Sequence, residues 1–316
     1  MIKENKMVCY QMKSGENIQF PFYSIKGKEA GPSICITAGI HGCEYAGIIA
    51  AIRLYKELNP IEVKGQIKII PIVNMPAFKN RTMSTCPIDN KDLNGTFPGS
   101  EYGSYSEQLV FRLFNDFIKG SDYCIDLHGG DMVEKVAPLC IVHQSGNKAI
   151  DQKSKELAEI YGSKNIAFTT LNGTDPDKGR TYSYASENGI PAIQTEQGGI
   201  GQVEEQDVLG HLNGLYNVLK LVGCLKGTFI QKNDINYFSK GCSVYSKYEG
   251  IFYPQCKAGD KVNEGDELGL LEDYLGNKIE VIKAPCSGKI VTFVTSPAVK
   301  MKGKLFKIAF NQIYIE

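Results

Sequence analysis

The stretch from Ser33 to Gly47 constrains the fold more than any other part of this 316-residue sequence. An apolar run ends at Gly39, and His41 and Glu44 follow three residues apart. If a helical turn begins there, the imidazole and the carboxylate lie on one face and converge on a single ion. A chance His-x-x-Glu pair is the alternative, because so short a pattern is common. The stretch predicts a strand that leads into a turn able to bind a metal.

The residues that follow extend this turn into a strand, helix, strand unit. Apolar residues recur at helical spacing from Glu44 to Leu58, and Asn59-Pro60 ends the helix. A second strand is predicted over residues 66–73. Units of this kind build parallel sheets with helices on their faces.

The remaining chain divides into two regions that differ in their predicted secondary structure. Before residue 226 we predict strands at 18–25, 122–127, 139–143 and 190–195, helices at 106–118, 148–161, 181–188 and 203–225, and a functional loop at 74–104. After it, short β-type runs alternate with glycine-containing turns. We therefore expect an α/β domain over residues 1–225, with a mixed, largely parallel sheet and helices on both faces. A smaller all-β, barrel-sandwich-like domain is expected over residues 226–316.

Composition excludes several classes of partner. The 35 basic and 35 acidic residues cancel, and neither sign is concentrated in one stretch, which argues against nucleic acid and anionic membranes. No segment approaches the roughly 18 apolar residues of a membrane span. The 10 cysteines are scattered without a Cys-x-x-Cys pair, which favours buried thiols over disulfides. We expect a cytoplasmic homo-oligomer that acts on a small molecule.

Polar side chains follow three of the predicted strands. His41 and His128 each lie just past a strand, where ligands bind in open α/β sheets. His128 is therefore a candidate third ligand, with an ordinary loop histidine as the alternative. Two histidines and one glutamate form a known catalytic zinc set that leaves one position open. Glu196, which follows a third strand, suits a general base beside a metal-bound water.

Four short motifs occur in order along the chain. They are Gly39-Ile-His41-Gly-Cys-Glu44, Asp92-Leu-Asn94 with Phe97-Pro-Gly99, Asp126-Leu-His128-Gly, and Thr195-Glu196 followed by Gly198-Gly199. With them the chain resembles, over essentially its whole length, the succinylglutamate desuccinylase/aspartoacylase family of zinc carboxypeptidase-like hydrolases. The resemblance implies one Zn²⁺ per chain held by His41, Glu44 and His128. It also implies that Glu196 activates the metal-bound water and passes its proton to the leaving nitrogen.

The resemblance implies further roles around this centre. Asp92 would accept the second ring N–H of a zinc-binding histidine, and Asp126 competes for that role. Arg81 would polarise the scissile carbonyl oxygen, with a surface arginine as the alternative.

One departure from the family pattern concerns the substrate end of the site. The family has Asp-x-Asn-Arg, whose Asn and Arg clamp a substrate carboxylate, but here Gly95 follows Asn94. Asn94 keeps its substrate-binding role in this interpretation. Either Arg180 or Arg112 replaces the missing arginine, or the substrate has no carboxylate there.

The sequence favours a zinc-dependent amidohydrolase, a deacylase that cleaves a linear amide in a small N-acyl amino acid or related compound. The alternatives are a carboxypeptidase-like peptidase and a catalytically silent binding or carrier protein. The second region does resemble biotinyl and lipoyl carriers. Its expected hairpin tip, Asp273 to Asn277 with Lys278 beside it, lacks a Met-Lys-Met sequence. We interpret this region as an unmodified lid or assembly surface.

Overall fold

A mixed sheet forms the centre of the protein in a computed structural model that describes residues 1–13, 15–170, 178–231 and 233–311. Its first strands are β1 (Ile2–Gln11), β2 (Asn17–Lys26), β3 (Glu29–Ala38), β4 (Lys64–Ile70), β5 (Tyr123–His128), β6 (Glu134–Gln144), β7 (Asn165–Thr170) and β8 (Ala192–Gly199). The helices are α1 (Tyr45–Glu57), α2 (Met75–Asn80), α3 (Tyr105–Leu113), α4 (Lys148–Tyr161), α5 (Thr181–Glu187) and α6 (Glu205–Leu221).

The middle of this sheet is parallel. Strands β4, β3, β5 and β8 lie side by side in one direction. Strands β1 and β2 form antiparallel pairs at one end of this group, and β6 runs antiparallel to β8 at the other and parallel to β7. Side chains alternate between two apolar cores, because successive residues of a strand point to opposite faces. Along β3, Ile34 and Ile36 pack on the side of α1, α4 and α6, and Cys35 packs on the side of α3 and α5. The predicted largely parallel sheet with helices on both faces is confirmed.

Local capping explains why some predicted boundaries agree with the structure. Helix α4 spans the predicted residues 148–161 because the Asn147 side chain accepts hydrogen bonds from two backbone N–H groups at its start. At its end Gly162 adopts a φ of 94°, which favours glycine. The predicted helix at 106–118 is α-helical only to Leu113 and continues as a π-helical turn. Strands β1 and β7, and the short helix α2 within the predicted loop, were not predicted.

The described chain after α6 is β structure, antiparallel in all its pairs except that of β9 with β7. It contains β9 (Asn236–Phe238), β10 (Lys240–Tyr245), β11 (Gly250–Pro254), β12 (Lys261–Val262), β13 (Glu267–Glu272), β14 (Lys278–Lys283), β15 (Gly288–Val294), β16 (Ala298–Val299) and β17 (Lys304–Phe310). Strands β14, β13, β11 and β16 form a separate sheet around a core that includes Phe252 and Phe306. The predicted C-terminal β domain is confirmed in this form.

The same region also extends the central sheet. Strand β15 pairs antiparallel with β6, where Thr292 lies opposite Val136, and β17 and β10 continue the sheet beyond it. Strand β9 pairs parallel with β7, which lies on the same edge of β6 as β15 but further along that strand. The C-terminal region is therefore hydrogen-bonded to the central sheet, and the domain boundary at residues 225 and 226 stays a prediction.

Helix length and polarity bear on the membrane prediction. Across the described parts of the chain, no helix is both long enough and apolar enough to span a bilayer. The cytoplasmic location and the homo-oligomer stay predictions.

Candidate metal centre and active site

The turn between β3 and α1 delivers His41 and Glu44 to the carboxyl edge of the parallel strands. The backbone of this turn packs tightly, because a Cβ atom added to Gly42 would lie 2.2 Å from the backbone nitrogen of Phe78. Only glycine fits there without movement of the chain. The Glu44 N–H donates to the His41 carbonyl at 3.3 Å, which closes the turn. His128 reaches the same edge as the last residue of β5.

The structure brings together the three side chains that the sequence indicates as metal ligands. His41 Nδ1 lies 2.7 Å from Glu44 Oε1, and His128 Nδ1 lies 2.8 Å from Glu44 Oε2. One nitrogen or oxygen atom of each residue lies within 4.8 Å of the others. Glu44 and His128 are buried, whereas His41 is partly exposed. This is the arrangement of a possible metal site with access from one side.

A carboxylate holds the far side of each imidazole. His41 Nε2 lies 3.0 Å from Asp92 Oδ1, and His128 Nε2 lies 3.0 Å from Asp126 Oδ2. Asp126 also accepts a hydrogen bond from the Thr37 hydroxyl at 2.6 Å. The sequence analysis treated Asp92 and Asp126 as alternatives for contacting one histidine. In the structure each of them contacts a different histidine, Asp92 with His41 and Asp126 with His128. Such contacts orient metal-binding imidazoles and raise their basicity.

The carboxylates dominate the electrostatics of the cluster. Burial opposes the charged form of His41, but the charge of Glu44 and the hydrogen bonds with Asp92 and Glu44 raise its pKa to about 9. Burial also favours the neutral form of His128, but the charges of Asp126 and Glu44 outweigh this effect and raise the pKa of His128 well above its ordinary value. Surroundings that stabilise positive charge on two imidazoles also favour a divalent cation between them. The donor set, two imidazole nitrogens and a carboxylate, fits Zn²⁺ of the catalytic kind.

Glu196 lies beside this cluster on the adjacent parallel strand. In the register of β5 and β8 it is directly opposite His128. Burial raises the pKa of its carboxyl group to about 7, and the charge of Glu44 adds to this, while His128 opposes it. A carboxyl group with a pKa near neutrality can both accept and donate a proton under physiological conditions.

Gln194 is the residue near Glu196 that the sequence analysis missed. Its Nε2 donates to Glu196 Oε1 at 2.7 Å, and its Oε1 accepts from Asn94 Nδ2 at 3.2 Å. The Asn94 Oδ1 in turn accepts from the Thr181 backbone N–H at 3.3 Å. This backbone donor sets the orientation of both amides. The available signal was spacing, since Gln194 precedes Glu196 by two residues on a buried strand and so shares its face.

The three candidate arginines have different surroundings. Arg112 pairs with Glu101 at 3.0 Å and stacks over Tyr10, lining a cavity of about 810 Å³ that none of the metal-site residues borders. Arg81 is exposed at the end of α2, in a left-handed conformation with φ of 52°. Arg180 precedes α5, and its charge is among the causes that lower the pKa of Asp92, although burial opposes them. Arg180 therefore lies within electrostatic reach of Asp92, which contacts His41.

Comparison with known proteins identifies the fold family. Residues 30–222 match the family of succinylglutamate desuccinylase/aspartoacylase catalytic domains. The chain belongs to that family. A curated member, the N-alpha-acetyl-L-2,4-diaminobutyric acid deacetylase of Halomonas elongata, is 26% identical over 261 residues, which cover 81% of this chain and 75% of the relative.

Solved structures of desuccinylase/aspartoacylase relatives share the architecture of the whole chain. The product-bound ectoine utilization protein EutE (DoeB) from Ruegeria pomeroyi has a TM-score of 0.88 at 24% identity, with 98% of this chain and 95% of that chain covered. A succinylglutamate desuccinylase/aspartoacylase from Rhodobacter sphaeroides has a TM-score of 0.85 at 23% identity, with 98% and 96% covered. At these identities the likeness shows a common fold, including the C-terminal β domain.

The departure from the desuccinylase/aspartoacylase pattern lies at Gly95. Among the residues that the structure describes, no atom lies within 4 Å of a Cβ atom added to Gly95. The segment of Arg180 passes beside it, because the Phe97 N–H donates to the Gly179 carbonyl at 3.0 Å, and a Cβ atom on Gly179 would lie 3.0 Å from the Gly95 oxygen. The backbone of Arg180 is thus next to the position where the family pattern has arginine.

Proposed function

We propose that this protein is a zinc-dependent deacylase that hydrolyses the amide bond of a small N-acyl amino acid. The observation that carries the proposal is the placement of Glu196 directly opposite His128, beside a cluster whose two imidazoles and one carboxylate face one point. Membership of a desuccinylase and aspartoacylase family supports the reaction class. The Halomonas elongata relative, a deacetylase of an acetylated diamino acid, supports the substrate class.

His41, Glu44 and His128 would hold the metal, with Asp92 and Asp126 orienting the two imidazoles. When bound, zinc supplies Lewis acidity, which lowers the pKa of water and polarises a carbonyl oxygen. The protein groups do the rest. Glu196 would take a proton from the attacking water and deliver it to the nitrogen of the departing amine, so that the C–N bond breaks to a carboxylic acid and a free amine.

Gln194 would define which oxygen of Glu196 carries that proton. Its amide N–H engages Oε1, so that Oε2 remains for the exchange with water and the leaving nitrogen. The buried surroundings that raise the pKa of Glu196 to about 7 match this double role, because the group must gain and then lose a proton in each turnover.

At the substrate end we assign the carboxylate clamp to Arg180. Its backbone passes next to Gly95 and Asn94, and a guanidinium there would bind the substrate carboxylate through two parallel hydrogen bonds. Asn94 would border the same subsite. Arg81 stays our candidate for the donor to the carbonyl oxygen.

The direct test combines metal analysis with hydrolysis assays. We expect about one zinc per chain in the native protein, and release of amine from at least one member of a panel of N-acetyl and N-succinyl amino acids that includes Nα-acetyl-L-2,4-diaminobutyrate. The Glu196→Gln variant keeps the shape of the side chain and should retain the metal. It should lower kcat roughly hundredfold to ten-thousandfold, the usual contribution of a general base.

Two results would contradict the proposal in different ways. If the native protein binds no zinc, the proposed metal centre is wrong. If the protein binds zinc and cleaves no member of the panel but removes C-terminal residues from peptides, it is a peptidase and not a deacylase.

A further inference from the structure

A large cavity lies on the other face of the sheet from the metal cluster. It has a volume of about 910 Å³, and α6 contributes Gly210, Asn213 and Asn217 to its wall. The Gln197 side chain points to this side, since its Nε2 donates to the carbonyl of Gln206 at 3.3 Å. Strand β8 therefore separates the cavity from the reaction site proposed above.

The cavity wall is basic. Among the described residues it contains Lys164, Lys220 and Lys289, and its only acidic residue is Glu196. The carboxyl group of Glu196 belongs to the opposite face of β8, because side chains alternate along a strand and the side chain of Gln197 points towards α6. The ammonium groups thus face the cavity without an acidic side chain among them.

Strand pairing places a further lysine beside Lys289, next to this wall. In the antiparallel pair of β12 and β15, Lys261 lies directly opposite Lys289, so both side chains project from the same face. Burial lowers the pKa of Lys289, and the charges of Lys261 and Lys164 lower it further. Like charges directly opposite each other destabilise a sheet. The fold thus keeps three ammonium groups close together at a cost in stability.

Neighbouring carboxylates do not offset this charge. Within the described chain, every lysine with a carboxylate oxygen inside 4.0 Å lies elsewhere, as in the pairs of Lys135 with Asp207 and of Lys304 with Glu134. Lys289 donates instead to the neutral side chain of Asn165 at 3.1 Å. The carboxylate of Asp260, next to Lys261 in sequence, accepts from the Lys257 backbone N–H at 2.9 Å.

We propose that this cavity is a binding site for a phosphate-bearing small molecule, held by Lys164 and Lys289 with Lys261 beside them. Three ammonium groups match the charge of a phosphate or diphosphate better than that of one carboxylate. Lysine acts as a point charge with rotatable donors, which suits a tetrahedral anion. The amides of Asn213 and Asn217 provide neutral polar contacts on the opposite wall, and the volume is within the range of small-molecule sites.

The position of the site predicts its structural effect. Lys164 comes from the connection between α4 and β7, and Lys289 comes from β15 of the C-terminal region. A bound anion would therefore join these two parts of the chain. It should raise the thermal midpoint of the protein, because a ligand that binds only the folded state stabilises it.

The test is titration of the metal-loaded protein with inorganic phosphate, pyrophosphate and adenosine monophosphate by calorimetry, at about 10 mM ionic strength where screening is weak. We expect saturable binding of at least one of them. The double variant Lys164→Gln/Lys289→Gln should weaken that binding at least about tenfold, because it removes two charge-assisted contacts to the anion. The matched control Lys283→Gln removes an exposed lysine of β14 outside the cavity wall and should bind like the native protein.

Further readouts identify the ligand source and separate this site from the metal centre. Stronger binding of adenosine monophosphate than of inorganic phosphate would indicate an organic phosphate, and the reverse would indicate the free anion. Without any anion, the double variant should be at least as stable as the native protein, because a repulsion is removed. Absence of saturable binding to the native protein would overturn the proposal, as would binding that the double variant retains in full, which would indicate the metal centre instead.

Discussion

At the scale of single residues, the candidate site combines side chains near strand ends with an amide inside a strand. His41, Glu44, His128 and Glu196 lie at one edge of the sheet, and hydrophobic patterning places each of them near the end of a predicted strand. Gln194 lies inside an apolar strand, where its spacing from Glu196 indicates a shared face but does not indicate which groups its amide contacts. Its role depends on partners about a hundred residues away, which local patterns do not contain.

The first prediction concerns Gln194 as the residue that positions Glu196. Replacement by Leu removes the donor to Glu196 Oε1 and leaves the Asn94 amide without its acceptor. We expect kcat to fall roughly tenfold to a hundredfold, since a buried charged acceptor loses about 1.5–3 kcal/mol of hydrogen bonding. KM and zinc content should change little.

The matched control for Gln194 is Gln197→Met, on the same strand but facing α6. It should leave kcat within about twofold of the native value, because most substitutions away from a site act on stability alone. An equal loss of kcat in both variants would show a general disturbance of β8 rather than a specific role of Gln194.

The second prediction separates the two arginines proposed for the substrate carboxylate. Arg180→Gln should raise KM roughly tenfold to a hundredfold for a substrate with a free α-carboxylate, and much less for the corresponding carboxamide. Arg112→Gln should leave both values unchanged, because its guanidinium pairs with Glu101 in another cavity. An increase in KM that occurs only in the Arg112 variant would assign the substrate carboxylate to Arg112 instead. Steady-state kinetics with the matched pair of substrates provides the measurement.

At the scale of elements, prediction succeeded where a helix carries its own start and stop signals. Helix α4 has Asn147 and Gly162 at its two ends and was predicted to the residue. Strand β1 was missed because it is an exposed edge strand of mixed polarity, from Ile2 to Gln11, without the alternation that marks a half-buried strand. The π-helical turn after α3 has the same apolar spacing as an α-helix, so hydrophobic patterning does not distinguish the two.

The third prediction concerns the start of α3, which depends on Asp89. Its carboxylate accepts hydrogen bonds from the Ser104 hydroxyl and from both the backbone N–H and the hydroxyl of Ser106. Burial opposes a lowered pKa at Asp89, but these hydrogen bonds outweigh it and hold the pKa below its ordinary value. A carboxyl group whose pKa is lowered by folding stabilises the protein fully at pH values above its unfolded-state pKa, which is about 3.9 for Asp. This contribution to stability is lost as the pH falls through the folded-state pKa.

Asp89→Asn should therefore lower the free energy of unfolding by about 1 kcal/mol at neutral pH, a typical effect of losing a helix cap. The difference from the native protein should shrink as the pH falls below about 4. Urea unfolding of both proteins at each pH measures this difference in the free energy of unfolding. Loss of metal at low pH affects both proteins equally and so does not change the difference. A difference that is constant across the pH range would exclude the carboxylate as its source.

At the scale of the whole molecule, the class of each region was predictable, but the connection between the regions was not. The change of texture near residue 226 indicated a β region. The pairing of β15 with β6 joins segments more than a hundred residues apart, and neither strand's pattern specifies its partner. Register between distant strands is decided when the chain packs, so it had to come from the structure.

The fourth prediction is that metal links catalysis to global stability. His41 and Glu44 follow β3 and His128 ends β5, so an ion bound by these residues would hold two neighbouring strand ends together. Removing it with a chelator should abolish amide hydrolysis and lower the thermal midpoint, and added Zn²⁺ should restore both. At a hundredfold excess over the dissociation constant the stabilisation is about 2.7 kcal/mol.

Glu44→Gln provides the control for metal removal. This variant loses the carboxylate between the two histidines, so its thermal midpoint should respond little to chelator or to zinc. An equally large response in the variant would place the stabilising ion at another site.

The pairing of β6 with β15 also decides how the chain tolerates shortening. Without the residues after 225, β6 would present unpaired N–H and C=O groups along the part of its length that β15 covers, from Glu134 to Val136. Exposed edges of this kind template pairing with other chains. We therefore expect the C-terminal strands to protect this edge from self-association, and a gene fragment encoding residues 1–225 alone should yield aggregates rather than a folded, dispersed protein.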